Sequence, residues 1–309
     1  MRHFLGLMDL TSHEVHTLLD KARALKADLA RGHRPALLPG RVLGLIFEKP
    51  SLRTRVSFES AMAHLGGSSV FLSSTDGAIG QREPVADFAR VLSQFCDAVV
   101  LRVFSHRTIE EFAEHATVPV INGLSDYNHP CQALGDMLTI QEAFGSLEGR
   151  TMVFVGDGNN VARSLAVACA RTGMRFVLAA PSAYAFDESF LSTCRAAFPG
   201  HLPRHETDPR RAVSEADVVY SDVWTSMGQE TETAKRLHDF KGFQVDEALM
   251  ALAPSHARFL HCLPAHRGEE VSAGVMESRA SLVFPQAGNR MHAQKALLCW
   301  LLSNHIAQS

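Results

Sequence analysis

Short, nearly continuous apolar segments alternate with helical patterns along this chain, and this alternation constrains the fold more than any other feature. Apolar segments without a polar face are typical of strands buried on both sides, and helices between them connect parallel strands. The alternation occurs twice, with residues 145–149 as the junction. The first series predicts strands over residues 42–47, 69–72, 98–101 and 118–121, and the second predicts strands over residues 151–155, 175–179, 217–220 and 258–260.

The chain has 309 residues, which exceeds one ordinary domain and predicts two. We place the first domain over residues 1–145 and the second over residues 146–309. The predicted fold class is α/β, with two doubly wound parallel-sheet domains joined by helices. The last helix, over about residues 289–306, is strongly apolar. We expect it to pack back on the first domain.

Composition excludes several classes of protein. Apolar residues make up 46% of the chain and charged residues 20%, which is typical of a soluble globular enzyme. The net charge of −3 lacks the basic excess of a nucleic-acid-binding surface. No apolar run is long enough for a membrane span, and the N-terminus has no signal-peptide pattern. We therefore expect a cytoplasmic protein with neither a nucleic-acid nor a membrane partner. The six cysteines form no C-x-x-C pair, so neither a disulfide framework nor a zinc ribbon is indicated.

The first candidate for chemistry lies between the strand over residues 42–47 and the helical pattern after it. Ser51, Arg53, Thr54 and Arg55 stand where this helix begins. The first N–H groups of a helix have no intrahelical partner, and the helix dipole favours negative charge there. Hydroxyl and guanidinium groups at such a point favour phosphate. A capped helix with solvated arginines is the alternative.

Other polar residues follow the remaining strands of the first series, where ligands bind in open α/β sheets. Arg102 directly follows the third strand, although this position taken alone favours a surface arginine. Pro130 suits the first position of a helix. His129 and Gln132 lie three residues apart and share a face that could bind one small carbonyl compound, unless they only cap the helix. Arg290 is predicted to lie near the start of the last helix.

A glycine-rich segment, Gly156-Asp157-Gly158-Asn159-Asn160, follows the first strand of the second series. It lacks the third glycine of a dinucleotide-binding fingerprint, and no ribose-binding acid ends the next strand. A nicotinamide cofactor is therefore disfavoured. The asparagine amides are available to a polar ligand instead.

Two further motifs end strands of the second series. Asp222 is followed by Ser226-Met227-Gly228, which is typical of a mobile loop in which Met227 either contacts an aliphatic ligand or turns into the core. His261, Cys262 and His266 are possible metal ligands, but their spacing is weak evidence for zinc. Cys262 could contact a substrate instead.

Taken together, these segments resemble the aspartate/ornithine carbamoyltransferase superfamily, and within it the ornithine carbamoyltransferases. The resemblance extends over nearly the whole chain, from the Ser51 turn to the Arg290 helix. Aspartate carbamoyltransferases share the first half but lack the Asp-x-x-x-Ser-Met-Gly and His-Cys-Leu-Pro segments. The resemblance implies transfer of the carbamoyl group from carbamoyl phosphate to the δ-amine of L-ornithine. The products would be L-citrulline and phosphate, as in arginine biosynthesis.

The resemblance also implies the partners and the site. Neither a metal nor an organic cofactor is expected, and the assembly should be a homotrimer or a multiple of trimers. Catalytic roles would fall to Cys262, Arg102 and His129. Carbamoyl phosphate would bind Ser51, Leu52, Arg53, Thr54, Arg102, His129, Gln132, Cys262, Leu263 and Arg290, and ornithine would bind Asn160, Asp222, Ser226 and Met227.

This chain departs from the family pattern at three positions. Leu52 stands where the family often has Thr, but that position contributes chiefly its backbone N–H. Ala78 replaces a glutamine that reaches a neighbouring subunit in many members, and Gln81 is the candidate substitute. Gly288 stands where the family usually has Glu. Without that side chain, the orientation of Arg290 is expected to be weaker. Cys262 either accepts a proton or contacts the α-amino group, and both roles stay open.

Three other functions compete with this one. A carbamoyltransferase could act on another amine, such as putrescine or N-acetylornithine, but Asp222 favours a substrate with a charged α-ammonium. A dehydrogenase is disfavoured by the incomplete glycine fingerprint. A non-catalytic binding or regulatory subunit is disfavoured because Arg53, Arg102, His129 and Cys262 are all retained.

Overall fold

The computed structural model describes residues 2–73, 79–80, 82–225 and 230–303. Its chain forms two compact units, Met1–Leu138 with Gly288–Ser309, and Thr139–Ala287. Each unit contains one parallel β-sheet, which confirms the predicted α/β class. The C-terminal segment belongs to the first unit. The described residues include no helix with the length and hydrophobicity of a membrane span.

The first unit contains a four-stranded sheet in the order β2-β1-β3-β4. Its first helix starts with a capping box, in which Thr11 accepts from the Glu14 N–H and the Glu14 carboxylate accepts from the Thr11 N–H. The strands are β1 (Val42–Phe47), β2 (Ser68–Ser73), β3 (Ala98–Arg102) and β4 (Val120–Leu124), and the helices are α1 (Ser12–Ala30), α2 (Leu52–His64), α3 (Val85–Leu92), α4 (His106–His115) and the first part of α5 (Pro130–Phe144).

The second unit contains a five-stranded sheet in the order β7-β6-β5-β8-β9. All of its paired strands are parallel. The strands are β5 (Thr151–Val155), β6 (Arg175–Ala179), β7 (Arg204–Glu206), β8 (Val218–Ser221) and β9 (Arg258–His261), and the helices are α6 (Asn160–Thr172), α7 (Glu188–Ala197), α8 (Pro209–Val213), α9 (Thr233–Asp239), α10 (Glu247–Met250) and α11 (Ala273–Met276), before α12 (Val283–Ser303), which returns to the first unit.

Both sheets reverse their strand order beside the first strand of the unit. In the first sheet β1 pairs with β2 on one side and β3 on the other, and Phe47 is level with Arg102. In the second sheet β5 pairs with β6 and β8, and Val155 is level with Ser221. Such a reversal opens a crevice at the carboxyl ends of the two strands. The sequence motifs after β1, β3, β5 and β8 lie at these two crevices.

At the opposite end of each sheet, an aspartate accepts hydrogen bonds from the first strand and from the arginine before it. Asp97, just before β3, accepts from the Val42 N–H at 2.7 Å and the Arg41 guanidinium at 2.5 Å. Asp217, just before β8, accepts from the Thr151 N–H and the neighbouring Arg150 guanidinium, both at 2.8 Å. Each aspartate fixes the register of its strand against the first strand of the sheet.

Three sequence predictions were wrong in detail. The strand predicted over residues 118–121 starts at Val120, after Pro119, which has no N–H to donate. The short edge strand β7 was not predicted, since Arg204–Glu206 carries no apolar signal. The last helix begins at Val283, so Arg290 lies within it and not near its N-terminus. Pro285 is tolerated because it stands in the first turn.

Candidate active site

The turn after β1 has the local structure predicted for an anion site. Ser51 is the N-cap of α2, and its hydroxyl accepts from the Thr54 N–H at 3.2 Å. Leu52 points its side chain to solvent, so only its backbone is suited to a ligand. Arg53 stands in the first turn beside it. Arg55 is engaged elsewhere, because it pairs with Glu59 at 3.0 Å and stacks on Phe71.

Thr54 connects the turn to two distant arginines. Its side chain is fully buried, and its hydroxyl oxygen accepts from Arg290 Nη2 at 2.8 Å and from Arg102 Nη1 at 3.5 Å. Both partners are donors only. No described residue accepts the Thr54 proton, which leaves that O–H available for an acceptor oxygen on a ligand. Arg102 and Arg290 are themselves buried.

His129 lies buried at the start of α5, near these arginines. Burial, together with the charges of Arg290, Arg102 and Arg53, lowers the pKa of His129 well below its usual value. The imidazole is therefore neutral at pH 7. A neutral imidazole can donate one N–H to a carbonyl oxygen without adding another cation to the group.

Gln132 lies one turn further along α5 and is almost fully buried. Its amide Nε2 donates to the Asp136 carboxylate at 2.8 Å. This bond sets the orientation of the amide, and no described residue donates to Gln132 Oε1. A buried carbonyl oxygen without a donor costs free energy. The site thus presents an acceptor that suits an NH₂ group.

The second unit brings another set of predicted residues together. Asp222 follows β8 and is buried. Its Oδ1 accepts from the Cys262 thiol at 3.0 Å and from the Val223 N–H at 2.9 Å, and its Oδ2 accepts from the Asn159 amide at 3.0 Å. The thiol is the donor in this contact. These bonds hold Asp222 in one orientation.

Asn160 is the first residue of α6. The preceding Asn159 is the N-cap, and its side-chain oxygen accepts from the Val161 and Ala162 N–H groups. Asn160 Oδ1 also accepts from the Val161 N–H, at 3.0 Å. Asn160 therefore stands where the dipole of a helix favours a carboxylate.

The residues after β9 are held by a buried polar pair. His261 Nδ1 accepts from the Leu263 N–H at 2.9 Å, so Nε2 carries the proton and donates to Glu270 at 3.1 Å. Leu263 has φ of 60°, which is strained for a leucine. Ligand atoms of Asp222, His261 and Cys262 lie within 4.8 Å of one another. Both ring nitrogens of His261 are engaged, however, which opposes a role as a metal ligand.

The predicted site residues thus form two groups, one in each unit. The first unit contains Ser51, Leu52, Arg53, Thr54, Arg102, His129, Gln132 and Arg290, and the second contains Asn160, Asp222, Cys262 and Leu263. The predictions for Ser226, Met227 and Gly228, and those for Ala78 and Gln81, lie outside the described residues.

Four residues orient these groups in a way that the sequence did not predict. Asp136 orients Gln132 from four positions along the same helix. This spacing places the two side chains on one face, so the contact could have been predicted. Asn159, Glu270 and Arg236 act through partners at least nine positions away. Nothing in the linear sequence indicates those contacts.

Comparison with known proteins decides the family. Residues 2–142 match the family model described as "Aspartate/ornithine carbamoyltransferase, carbamoyl-P binding domain", and residues 148–301 match its "Asp/Orn binding domain". The chain belongs to the aspartate/ornithine carbamoyltransferase family. The predicted resemblance is therefore confirmed. Residues 2–142 include the first group of site residues except Arg290, and residues 148–301 include Arg290 and the second group.

Relatives within the family are similar over almost their whole length. An ornithine carbamoyltransferase of Anoxybacillus flavithermus is 50% identical over 303 residues, which cover 97% of this chain and 96% of the relative. The solved structure of the Pyrococcus furiosus ornithine carbamoyltransferase has a TM-score of 0.94 at 47% identity, and covers 98% of this chain and 97% of that one. An anabolic enzyme from Campylobacter jejuni has a TM-score of 0.93 at 39% identity, and covers 99% of this chain and 100% of its own.

Proposed function

We propose that this protein transfers the carbamoyl group of carbamoyl phosphate to the δ-amine of L-ornithine, forming L-citrulline and phosphate. The observation that carries the proposal is the contact between Cys262 and Asp222 at 3.0 Å. It brings together the two motifs that distinguish ornithine from aspartate carbamoyltransferases. Relatives in Pyrococcus furiosus and Campylobacter jejuni are called anabolic, and we propose the same arginine-forming direction here.

The first unit supplies the groups that carbamoyl phosphate needs. Arg53, the Ser51 hydroxyl and the N–H groups at the start of α2 suit the phosphate, whose negative charge grows as the C–O bond breaks. The Thr54 hydroxyl and the neutral His129 suit the carbamoyl oxygen as it becomes an oxyanion. Gln132 Oε1 suits the carbamoyl NH₂. Hydrogen bonds already hold the Ser51 hydroxyl, the Thr54 hydroxyl and the Gln132 amide.

The second unit supplies the groups that an α-amino acid needs. Asp222 pairs with the α-ammonium, and Asn160 at the start of α6 receives the α-carboxylate. The δ-amine attacks as the neutral base, which is scarce because an alkylamine has a pKa near ~10.4. The Cys262 thiol already donates to Asp222, which supports a role for it in holding this carboxylate.

Turnover of three amines tests the substrate assignment. N-acetylornithine has no α-ammonium for Asp222, and putrescine has no carboxylate for Asn160. We expect kcat/KM for L-ornithine to exceed both by at least about 10²-fold, because buried polar groups of the site would be left unpaired. Comparable turnover of putrescine or N-acetylornithine would contradict the ornithine assignment and leave the carbamoyl phosphate assignment intact.

We also propose a homotrimer. Family resemblance implies it, and apolar Leu52 and Val56 lie one turn apart on the exposed face of α2, with Val70 exposed on the edge strand β2. Sedimentation should give a trimer that Val56→Asp weakens. An active wild-type monomer would refute the proposal.

A further inference from the structure

Arg236 is a buried cation beside the Asn160 and Asp222 group that no predicted role uses. Its Nη1 donates to Asp157 Oδ2 at 2.6 Å and to the Trp224 carbonyl at 3.0 Å, and its Nε donates to Glu232 at 2.9 Å. Only 6% of the residue is exposed. Asp157 is also largely buried, whereas the Glu232 side chain is about half exposed.

The contacts of Arg236 join the two strand ends that carry the amino-acid-binding residues. Asp157 follows β5 and stands three positions before Asn160, and Trp224 stands two positions after Asp222. β5 and β8 are neighbours in the sheet. The Asn159–Asp222 hydrogen bond is a second link between the same two ends.

Charge is the distinctive contribution of Arg236 to this region. Asp157 and Asp222 are two carboxylates at adjacent strand ends. Burial and the Asp222 charge raise the pKa of Asp157, whereas the hydrogen bond and the charge of Arg236 act in the opposite direction and favour its ionised form. Only one of these negative charges, that of Asp222, is needed to pair with an ammonium. An uncompensated Asp157 would add a second negative charge close to Asn160, where the substrate carboxylate is expected.

We propose that Arg236 is a specificity-determining residue, which neutralises Asp157 so that an α-carboxylate can bind beside Asn160. The inference rests on the proposed assignment of the second unit to ornithine. It makes the preference for amino acids over analogues that lack the α-carboxylate depend on Arg236. A merely structural role would not produce that dependence.

The test compares L-ornithine with L-ornithinamide, which keeps both amines and replaces the carboxylate with a neutral amide. The measured quantity is the ratio of the two kcat/KM values. Wild-type citrulline formation from ornithine is measured first, because its absence would refute the proposed function and not this inference. At a pH high enough to keep Asp157 ionised, Arg236→Gln should lower the ratio on the order of tenfold, since the unpaired charge repels the carboxylate.

A double variant distinguishes the effect of the Arg236 charge from a structural role of its side chain. Asp157→Asn with Arg236→Gln removes both charges and should restore most of the wild-type ratio. Asp157→Asn alone should keep or raise the ratio, because it leaves an extra cation. Arg236→Lys keeps the charge, so its ratio should stay near wild type even where the melting temperature falls. Arg211→Gln is the matched control, since Arg211 pairs with Glu206 at an exposed site in the same unit.

Two results would overturn the inference. One is an equal loss of activity toward both substrates in Arg236→Gln, with the ratio unchanged. The other is a double variant whose ratio stays as low as that of Arg236→Gln. Circular dichroism and melting curves for every variant establish that the ratios come from folded protein.

Discussion

The guanidinium of Arg290 donates to the hydroxyl of Thr54 at 2.8 Å, although the two residues are 236 positions apart in the chain. Both belong to the first unit, because the chain returns to it at Gly288. This contact explains why a residue near the end of the chain belongs to the carbamoyl phosphate group. It also orients the Thr54 hydroxyl, which can then donate to a ligand.

Removal of that hydroxyl should impair catalysis more than folding. Thr54→Val keeps the shape of the side chain but loses the donor to the carbamoyl oxygen, so kcat should fall roughly 10²-fold, as for other oxyanion donors. Thr54→Ser should retain most activity. Steady-state kinetics of the two variants check this prediction, and equal activity of Thr54→Val and Thr54→Ser would contradict it.

Two neighbouring arginines of α2 should differ in their effect on carbamoyl phosphate. Arg53→Ala should weaken its binding roughly 10-fold or more, because a charge-assisted hydrogen bond contributes about 1.5–3 kcal/mol. Arg55→Ala is the control, because Arg55 pairs with Glu59 and stacks on Phe71. Calorimetric titration with carbamoyl phosphate compares the two, and similar losses would argue against a phosphate site at Arg53.

Two helical glycines should respond to alanine with opposite signs. A Cβ on Gly135 would lie 3.2 Å from Arg290 Cα, whereas nothing lies within 4 Å of a Cβ on Gly288. Gly135→Ala should therefore lower stability and carbamoyl phosphate affinity by pushing α12 away from Thr54. Gly288→Ala should raise the free energy of unfolding by about 0.5–1 kcal/mol. Denaturant melts measure both changes, and stabilisation by Gly135→Ala would show that α12 adjusts.

His292 should make the protein less stable in mild acid. Burial, with the charges of Lys295, Lys26 and His64, lowers the pKa of His292 to about 4. The unfolded chain takes up this proton near pH 6.5 and the folded chain only near pH 4, so stability falls as the pH drops between these values. The loss is at most about 3 kcal/mol.

His292→Gln should flatten that part of the pH profile, whereas the exposed His16→Gln should leave it unchanged. Melting temperatures between pH 4 and 7 provide the comparison. A wild-type profile that His292→Gln does not alter would contradict the prediction.

Local signals in the sequence predicted most of the fold. The bounds of β1, β5 and β6 and the start of α5 were as expected, because these elements have either continuous apolar residues or a clear first residue such as Pro130. The start of α12 was misplaced, since Pro285 and Gly288 resemble helix breakers. A proline in the first turn and an uncrowded glycine are both compatible with a helix.

The sequence predicted the types of residue in the site but not the hydrogen bonds that connect them. Thr54, His129 and Asp222 stand in short motifs at strand and helix ends, so their chemistry is visible in the chain. The partners Asn159 and Arg236 lie 63 and 79 positions from the carboxylates that they contact. Such contacts depend on strand order, which the sequence pattern does not specify.

Transfer of a labelled carbamoyl group is the decisive measurement for the proposed reaction. With ¹³C-carbamoyl phosphate and L-ornithine, we expect ¹³C and ³¹P NMR to show the label in the ureido carbon of citrulline, with one phosphate released per citrulline. Arg53→Ala and Asp222→Asn should each slow both signals together. Phosphate release without labelled citrulline, or unchanged transfer in both variants, would contradict the account.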